Sequence, residues 1–292
     1  MVPAKAALVS ARRHGISFQD WHTRVMTSAS SRNAAALPGR RVDRLEVQAP
    51  PSSDRRYRLV RGFMRLLTRA YSRVRSEGFD DLPAGPSILC FSHQSWADPF
   101  YIFGVARRQP RIYFFGPEQE DMRHGSRNRV MRWAGVTIPY QPGKRGLVSA
   151  TARVDALTAR GAAVAIAGEG RIHSGEGLVL PLRDGPAYLA LRAGVPLIPV
   201  ALNGTSWLGF RRVVRVRAGR PLIAVPAVPR RPSSAEVREL TARAQAALER
   251  LVDDFPEGRR PGPIGRWVTE IFNDWPDGSR PPAVRRDAGS RD

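Results

Sequence analysis

Between Gly78 and Asp253 short apolar runs alternate with segments of helical period, and that alternation confines the chain to the α/β class. A strand buried on both faces reads as an unbroken apolar run, whereas a helix covering a sheet shows a single apolar stripe. Apolar runs predict strands over 87–91, 111–115, 163–167 and 195–202, with 212–217 as a weakly alternating exposed strand. Helices are predicted over 98–107, 127–134, 147–160 and 185–193. Another opens at Ser233, where Ser233 and Glu236 form a capping box, and runs to about Asp253. No internal repeat is present.

Order starts near Tyr57. Residues 1–55 are rich in Ser, Ala, Pro and Arg without sustained periodicity and read as a poorly ordered basic arm. Over 57–75 one helical face gathers Arg58, Arg61, Arg65, Arg69 and Arg73, and the other Leu59, Val60, Phe63, Met64, Leu66, Leu67, Tyr71 and Val74. Such a helix suits either an anionic bilayer or the surface of its own domain. The expected domain therefore spans 56–255 with this amphipathic helix at its start. A Pro-rich tail over 256–292 follows, holding one short helix around 267–272.

The net charge of +21 comes from 47 basic and 26 acidic residues, and every basic residue except Lys5 and Lys144 is an arginine. The first 75 residues hold 16 of the basic and 4 of the acidic ones. Charge of this sign favours anionic partners, nucleic acid or an anionic membrane surface, without choosing between them. Hydrophobic residues make up 42% of the chain, enough for a core. One cysteine, Cys90, excludes an internal disulfide and a cysteine-built zinc site. No run reaches the length of a membrane span, and the start lacks a signal peptide's apolar segment, so the expected location is cytoplasmic.

The sharpest local signal is Ser92-His93-Gln94-Ser95-Trp96-Ala97-Asp98-Pro99, directly after the predicted strand 87–91. A histidine at a strand exit stands where open α/β sheets bind ligands. If the next residues turn into a helix, Asp98 can fold back onto the imidazole. A carboxylate on one ring nitrogen fixes the tautomer and leaves the other nitrogen free to accept a proton from a hydroxyl. The same residues also suit a histidine and an aspartate that only cap the helix. Cys90 lies inside the apolar run Ile88-Leu89-Cys90-Phe91 and reads as inert packing. In Gly168-Glu169-Gly170-Arg171-Ile172-His173, the glycines allow close backbone approach and Arg171 offers a fork to phosphate oxygens; an ordinary surface turn fits too.

Taken together, these blocks resemble the glycerolipid acyltransferases of the 1-acylglycerol-3-phosphate or lysophospholipid type. The His-x4-Asp block at His93 and Asp98 is followed in order by Glu169-Gly170-Arg171, by Leu180-Pro181-Leu182-Arg183-Asp184-Gly185, and by Val195-Pro196-Leu197-Ile198-Pro199-Val200. Gly78 with Leu82-Pro83 resembles the approach to that family's catalytic strand, and the likeness spans about 57–225. One departure falls in Gly135 to Pro142, where Pro142 stands at or near the position of an arginine that holds acceptor phosphate in the family. Lys144 or Arg145 would substitute from slightly further on.

The resemblance implies a single α/β domain, with a mixed central sheet flanked by helices, preceded by the basic amphipathic helix. It implies acyl transfer from a thioester, on coenzyme A or acyl carrier protein, to a hydroxyl of a lysophospholipid such as 1-acylglycerol-3-phosphate. His93 would be the base and Asp98 its orienter, with Glu169, Gly170, Arg171, Arg145 and Arg183 on the substrate. Glu169 would orient Arg171 or bond the glycerol, and His173 would be a loop residue. No cofactor and no metal are implied, the thioester being a co-substrate. The partners expected are an anionic membrane surface, the lysophospholipid and the donor, with no specific nucleic acid. The place expected is peripheral, on the inner face of the cell membrane. Two further classes stay open: an inactive relative that only binds lipid, and a basic nucleic-acid-binding protein.

Overall fold

The computed structural model describes residues 55–117, 126–140, 144–173, 175–222, 231–252 and 262–272. Their elements run α1 (Arg55–Tyr71), β1 (Arg73–Glu77), β2 (Ser87–Phe91), α2 (Asp98–Val105), β3 (Ile112–Pro117), α3 (Ser126–Trp133), β4 (Thr137–Tyr140), α4 (Lys144–Ala159), β5 (Ala163–Ala167), α5 (Gly185–Ala193), β6 (Leu197–Asn203), β7 (Val213–Ala218), α6 (Ser234–Val252) and α7 (Pro263–Phe272). The seven strands form one mixed sheet in the order β1-β7-β6-β2-β5-β3-β4. Strands β2 to β6 are mutually parallel, β7 is antiparallel to β6, and β1 is parallel to β7.

The centre of the sheet is its most apolar part. Every residue of β2 and β6 is buried, as both faces of a parallel strand require cover. Strand alternation sends Ile88 and Cys90 to one core with Val164, Leu197 and residues of α4, α5 and α6. Leu89 and Phe91 go to the other with Phe114, Val200, Tyr101 of α2 and Met64 of α1. The helices thus cover both faces. The parallel strands bring their C-terminal ends to one edge, and β2 delivers His93 there.

Two strands were not legible as strands. β1 reads as the end of the predicted 57–75 helix, but the helix stops at Tyr71 and Arg73–Glu77 pairs with Val213–Arg217. The helical period continues through Val74, so only the non-local pairing breaks it. β4 pairs with β3 at the opposite edge, from Thr137↔Phe114 onward. The expected exposed strand at 212–217 is also corrected: β7 lies inside the sheet between β6 and β1, with Val214 and Val216 buried.

Helix α1 divides its apolar residues between two faces. Tyr57, Val60, Met64 and Thr68 point into the core at the i, i+3, i+7, i+11 positions. Tyr57 meets Phe103 edge-on at 5.1 Å. Gly104 lets α1 and α2 come close, since a Cβ there would lie 3.1 Å from Thr68 Oγ1. Arg61 is half-buried, donating to the Ala106 carbonyl at the end of α2. By contrast Leu59, Phe63, Leu66 and Leu67 are 64, 54, 69 and 46% exposed. Met64→Ala is therefore expected to destabilise the protein by about 2 kcal/mol or more, and Leu66→Ala by less than about 0.5 kcal/mol. Urea midpoints of the two variants check this; equal shifts would deny the division.

Candidate active site

The site begins where β2 ends. Ser92 stays bound to the sheet, its N–H donating to Val200 O at 3.1 Å and its Oγ accepting from Leu202 N at 2.9 Å. The chain then turns, and α2 starts at Asp98 with Pro99 in its first turn. Asp98 folds back over that turn. Its Oδ2 accepts from the backbone N–H of Gln94 at 2.7 Å and of Ser95 at 2.8 Å, and lies 2.9 Å from His93 Nδ1. A carboxylate in a helix's first turn is also favoured by the helix dipole.

Asp98 is fully buried and its Oδ1 has no hydrogen-bond partner among the described residues. In the neutral tautomer that donates Nδ1–H to Asp98, Nε2 is the acceptor nitrogen, and it makes no hydrogen bond among the described residues. Phe91 and Trp96 meet the ring edge-on at 5.4 and 5.7 Å and hold its plane. Such a histidine is able to take a proton from a group presented to Nε2.

A second buried carboxylate stands behind His93. Glu169 follows β5, and its Oε2 accepts from the His93 backbone N–H at 2.9 Å. Its Oε1 accepts from Leu180 N at 2.9 Å and from His173 Nε2 at 3.1 Å. Gly175 N donates to His173 Nδ1 at 3.2 Å, so the imidazole serves as acceptor on one side and donor on the other. His173 N also donates to His93 O, and Gln94 Nε2 to Gly175 O. These bonds stitch the segment after β5 onto the turn that carries His93.

This geometry corrects one sequence expectation. Glu169 neither reaches Arg171 nor faces solvent; both its oxygens are held by protein donors within the core. His173 lies in the loop after β5, as expected, and is a buried member of that cluster. The signal missed was the spacing Glu169–His173, four residues apart beside a strand exit. Arg171 and Arg183 are both exposed, and neither guanidinium has an ion pair or hydrogen bond among the described residues. Gly170, at φ 67°, sits under Arg183, whose Cγ would lie 3.2 Å from a Cβ there. The Glu169-Gly170-Arg171 turn and Arg183 are thus neighbours. Arg145 stands in the first turn of α4 with its side chain outside the described residues, as does Pro142 entirely.

The nucleophiles near His93 are committed elsewhere. Ser95 Oγ accepts from Ala97 N at 3.1 Å, and both Ser92 and Ser95 are buried. Burial, reinforced by the nearby Glu169 charge, pushes the Cys90 thiol up to about 12. A Cβ on Gly168 would lie 2.6 Å from Cys90 Sγ, a measure of how tightly the sulfur is packed. Among the described residues no group of three His, Cys, Asp or Glu side chains is arranged to hold a metal.

Two outcomes follow from this packing. Glu169→Gln places an amide NH2 against backbone donors and is expected to cost about 1–3 kcal/mol, read from urea unfolding. In the folded protein Cys90 should resist a thiol reagent at pH 9, where an exposed thiol is half ionised, and react once unfolded. The folded thiol ionises near 12 and the unfolded one near 9, so its burial carries no pH penalty below 9 and disfavours folding progressively above it.

Residues 73–203 match the family model described as acyltransferase. That segment runs from the first strand to the end of β6 and contains His93, Asp98, Glu169 and Arg183. Among solved structures, the chain is similar to the 1-acyl-sn-glycerophosphate (LPA) acyltransferase PlsC of Thermotoga maritima. The TM-score is 0.53 at 21% identity, over 69% of this chain and 81% of that one. No curated protein matches. The sheet seen here, with its helix-covered faces, is the fold of that enzyme, and the family match lies on the strands that build the His93 edge. Residues 73–203 thus carry the match to the acyltransferase family model, on a fold shared with that glycerophosphate acyltransferase.

Proposed function

We propose that the protein moves a fatty acyl group from a thioester, on coenzyme A or acyl carrier protein, to a hydroxyl of a lysophospholipid such as 1-acylglycerol-3-phosphate, a step of phospholipid biosynthesis. The observation that carries this reading is the 2.9 Å bond from His93 Nδ1 to Asp98, with Nε2 left without a partner among the described residues. The acceptor O–H loses its proton to Nε2 as its oxygen attacks the thioester carbonyl carbon. The tetrahedral intermediate then collapses, the carbon–sulfur bond breaks, and the leaving thiolate takes the proton back from the imidazolium. The base ends neutral and the ester and free thiol balance the reactants. A thioester is activated enough for positioning and a held base to suffice.

Arg171 and Arg183 are proposed to meet the acceptor's phosphate from the exposed rim beside Gly170, since neither has a competing carboxylate among the described residues. Arg145 is proposed beside them from the family pattern alone. Glu169 is proposed as a positioning residue that fixes the His93 amide. Contact with an anionic membrane, on the inner face of the cell membrane, is supported by the exposed Leu59, Phe63, Leu66 and Leu67 among the arginines of α1. No helix among the described residues is long and apolar enough to cross a bilayer.

The test is thiol release from a long-chain acyl-CoA with a panel of lysophospholipids. His93→Ala and Asp98→Asn should lower turnover by about 10²–10⁴-fold while lipid binding persists. Retained turnover in a folded His93→Ala protein would sink the mechanism. Arg183→Ala and Arg171→Ala should raise the KM for the acceptor with a smaller effect on kcat; an unchanged saturation curve removes the residue from the site.

A further inference from the structure

An arginine-lined cleft of about 480 Å³ opens where α1 gives way to β1, lined by Arg69, Ala70, Ser72, Arg73, Val74 and Arg211. None of the three guanidiniums has an ion pair or hydrogen bond with a described residue. Arg211 is also the one non-glycine among the described residues with positive φ, at 58°. A long side chain rarely adopts that backbone, and here the conformation is held by the Arg211 N–H bond to Tyr71 O at 2.6 Å. Its effect is to bring a third arginine to the other two from a different part of the chain.

The cleft continues an apolar row. Leu59, Phe63 and Leu66 are exposed at i, i+4 and i+7 on α1, and Arg69 follows Leu66 by one turn. On its other flank Phe210, 72% exposed, lies edge-on to Tyr71 at 6.2 Å. Apolar side chains on two sides of an arginine cluster match a molecule with acyl chains and an anionic head. A soluble phosphate uses only the arginines.

The location ties the cleft to the site. Arg73 begins β1 opposite Val213, and β7 runs antiparallel to β6, so this end of β1 lies on the edge where β6 ends and β2 delivers His93. From β1 to β2 are three strand steps in the sheet, roughly 14 Å at ~4.8 Å each. Ser72, which lines the cleft, holds Tyr101 OH at 2.6 Å, and Tyr101 stands one turn beyond Asp98 in α2. Burial pushes the Tyr101 phenol up to about 12, so it stays a neutral partner for Ser72.

We propose that the cleft between Arg69, Arg73 and Arg211 binds the phosphodiester headgroup of an anionic phospholipid within a bilayer whose interface is entered by the Leu59–Phe63–Leu66 row. This lipid site is separate from the acceptor site at His93, and it would set the His93 edge against the membrane. It rests on the membrane-contact reading above but not on turnover, because binding is measured without substrate. Guanidinium forks suit phosphate oxygens, and the flanking side chains suit the boundary between head groups and chains.

The experiment floats the full chain with phosphatidylcholine vesicles, with or without phosphatidylglycerol, at physiological salt. The variants are the cleft pair Arg69→Gln/Arg73→Gln and a control pair Arg238→Gln/Arg243→Gln. Both pairs remove two exposed arginines and the same charge. The control pair lies on α6, across the sheet from α1 and beyond the ~8 Å screening length. The wild type and the control pair are expected to bind phosphatidylglycerol vesicles within about twofold of each other, and the cleft pair about tenfold or more weakly. Melting temperatures check that all remain folded. Equal losses in both pairs would reduce the effect to general charge and overturn the site. So would displacement from vesicles by millimolar sn-glycerol 3-phosphate, which would make it a soluble phosphate site, or a preference for duplex DNA over the vesicles. Turnover with a soluble short-chain lysophosphatidic acid separates the two readings. The cleft pair should keep it, and its loss there would make the cleft the acceptor site.

Discussion

Removing a carboxylate from water is costly unless donors replace its hydration, and this protein does so twice around one histidine. Asp98 is held by three donors from the turn it closes, and Glu169 by three, one from the turn after β2 and two from its own segment after β5. In a chain with 47 basic residues the donors are backbone N–H groups and imidazoles, not guanidiniums. Backbone donors are fixed by the fold before any ligand arrives, so the imidazole is held without reorganisation. They also leave the nearby arginines uncommitted. The two carboxylates therefore define the site from within, while its positive charge stays on the rim where an anion can meet it.

The same separation holds along the sheet edge. Arg171 and Arg183 stand beside the β5 exit, and Arg69, Arg73 and Arg211 beside the start of β1. Where carboxylates do meet arginines they serve the fold. Glu176 accepts from Gly204 N and Arg212 Nη2 and so fixes the chain after β6, and Arg217 joins Glu77 across β7 and β1. A net charge of +21 is thus not uniform solvent decoration. Part of it is neutralised inside the architecture and part is presented along one edge without a carboxylate partner among the described residues, which concentrates attraction for anionic ligands there.

Legibility followed locality. β2, β5 and α5 have the predicted bounds because the signal for each lies within its own residues: a continuous apolar run, or a Pro start and a glycine stop. β1 was hidden because Arg73, Arg75 and Glu77 carry no strand pattern; the partner strand 140 residues later makes them one. Helix α1 was legible as amphipathic but not in how its apolar residues divide. That depends on which of them Phe103 and Gly104 can reach. At the site, the His93-x4-Asp98 spacing offered a carboxylate on the imidazole beside a plain helix cap, and only the turn into α2, which brings Asp98 Oδ2 to His93 Nδ1, decides for the first. Glu169 was misread because burial is a property of the assembled sheet. An acidic residue in a Gly-rich turn looks solvated until strands β2 and β5 are set side by side.

The nucleophilic side chains beside His93 among the described residues are packed away, which fits the proposed direct transfer better than a covalent acyl-protein route. Cys90 points into the core beneath α5 and keeps its proton through the neutral range. Ser92 spends its oxygen on the Leu202 amide, and Ser95 on that of Ala97. Exposing any of them to a thioester would require breaking the bonds that hold β2 to β6 or the turn to α2. His93 Nε2 has no such duty among the described residues. In the proposed reaction Nε2 therefore acts on a proton brought by a ligand, the hydroxyl of the acceptor. In that proposed reaction, the strands that place His93 thus also withhold the side chains that would compete with the acceptor hydroxyl, so packing rather than reactivity would select the attacking group.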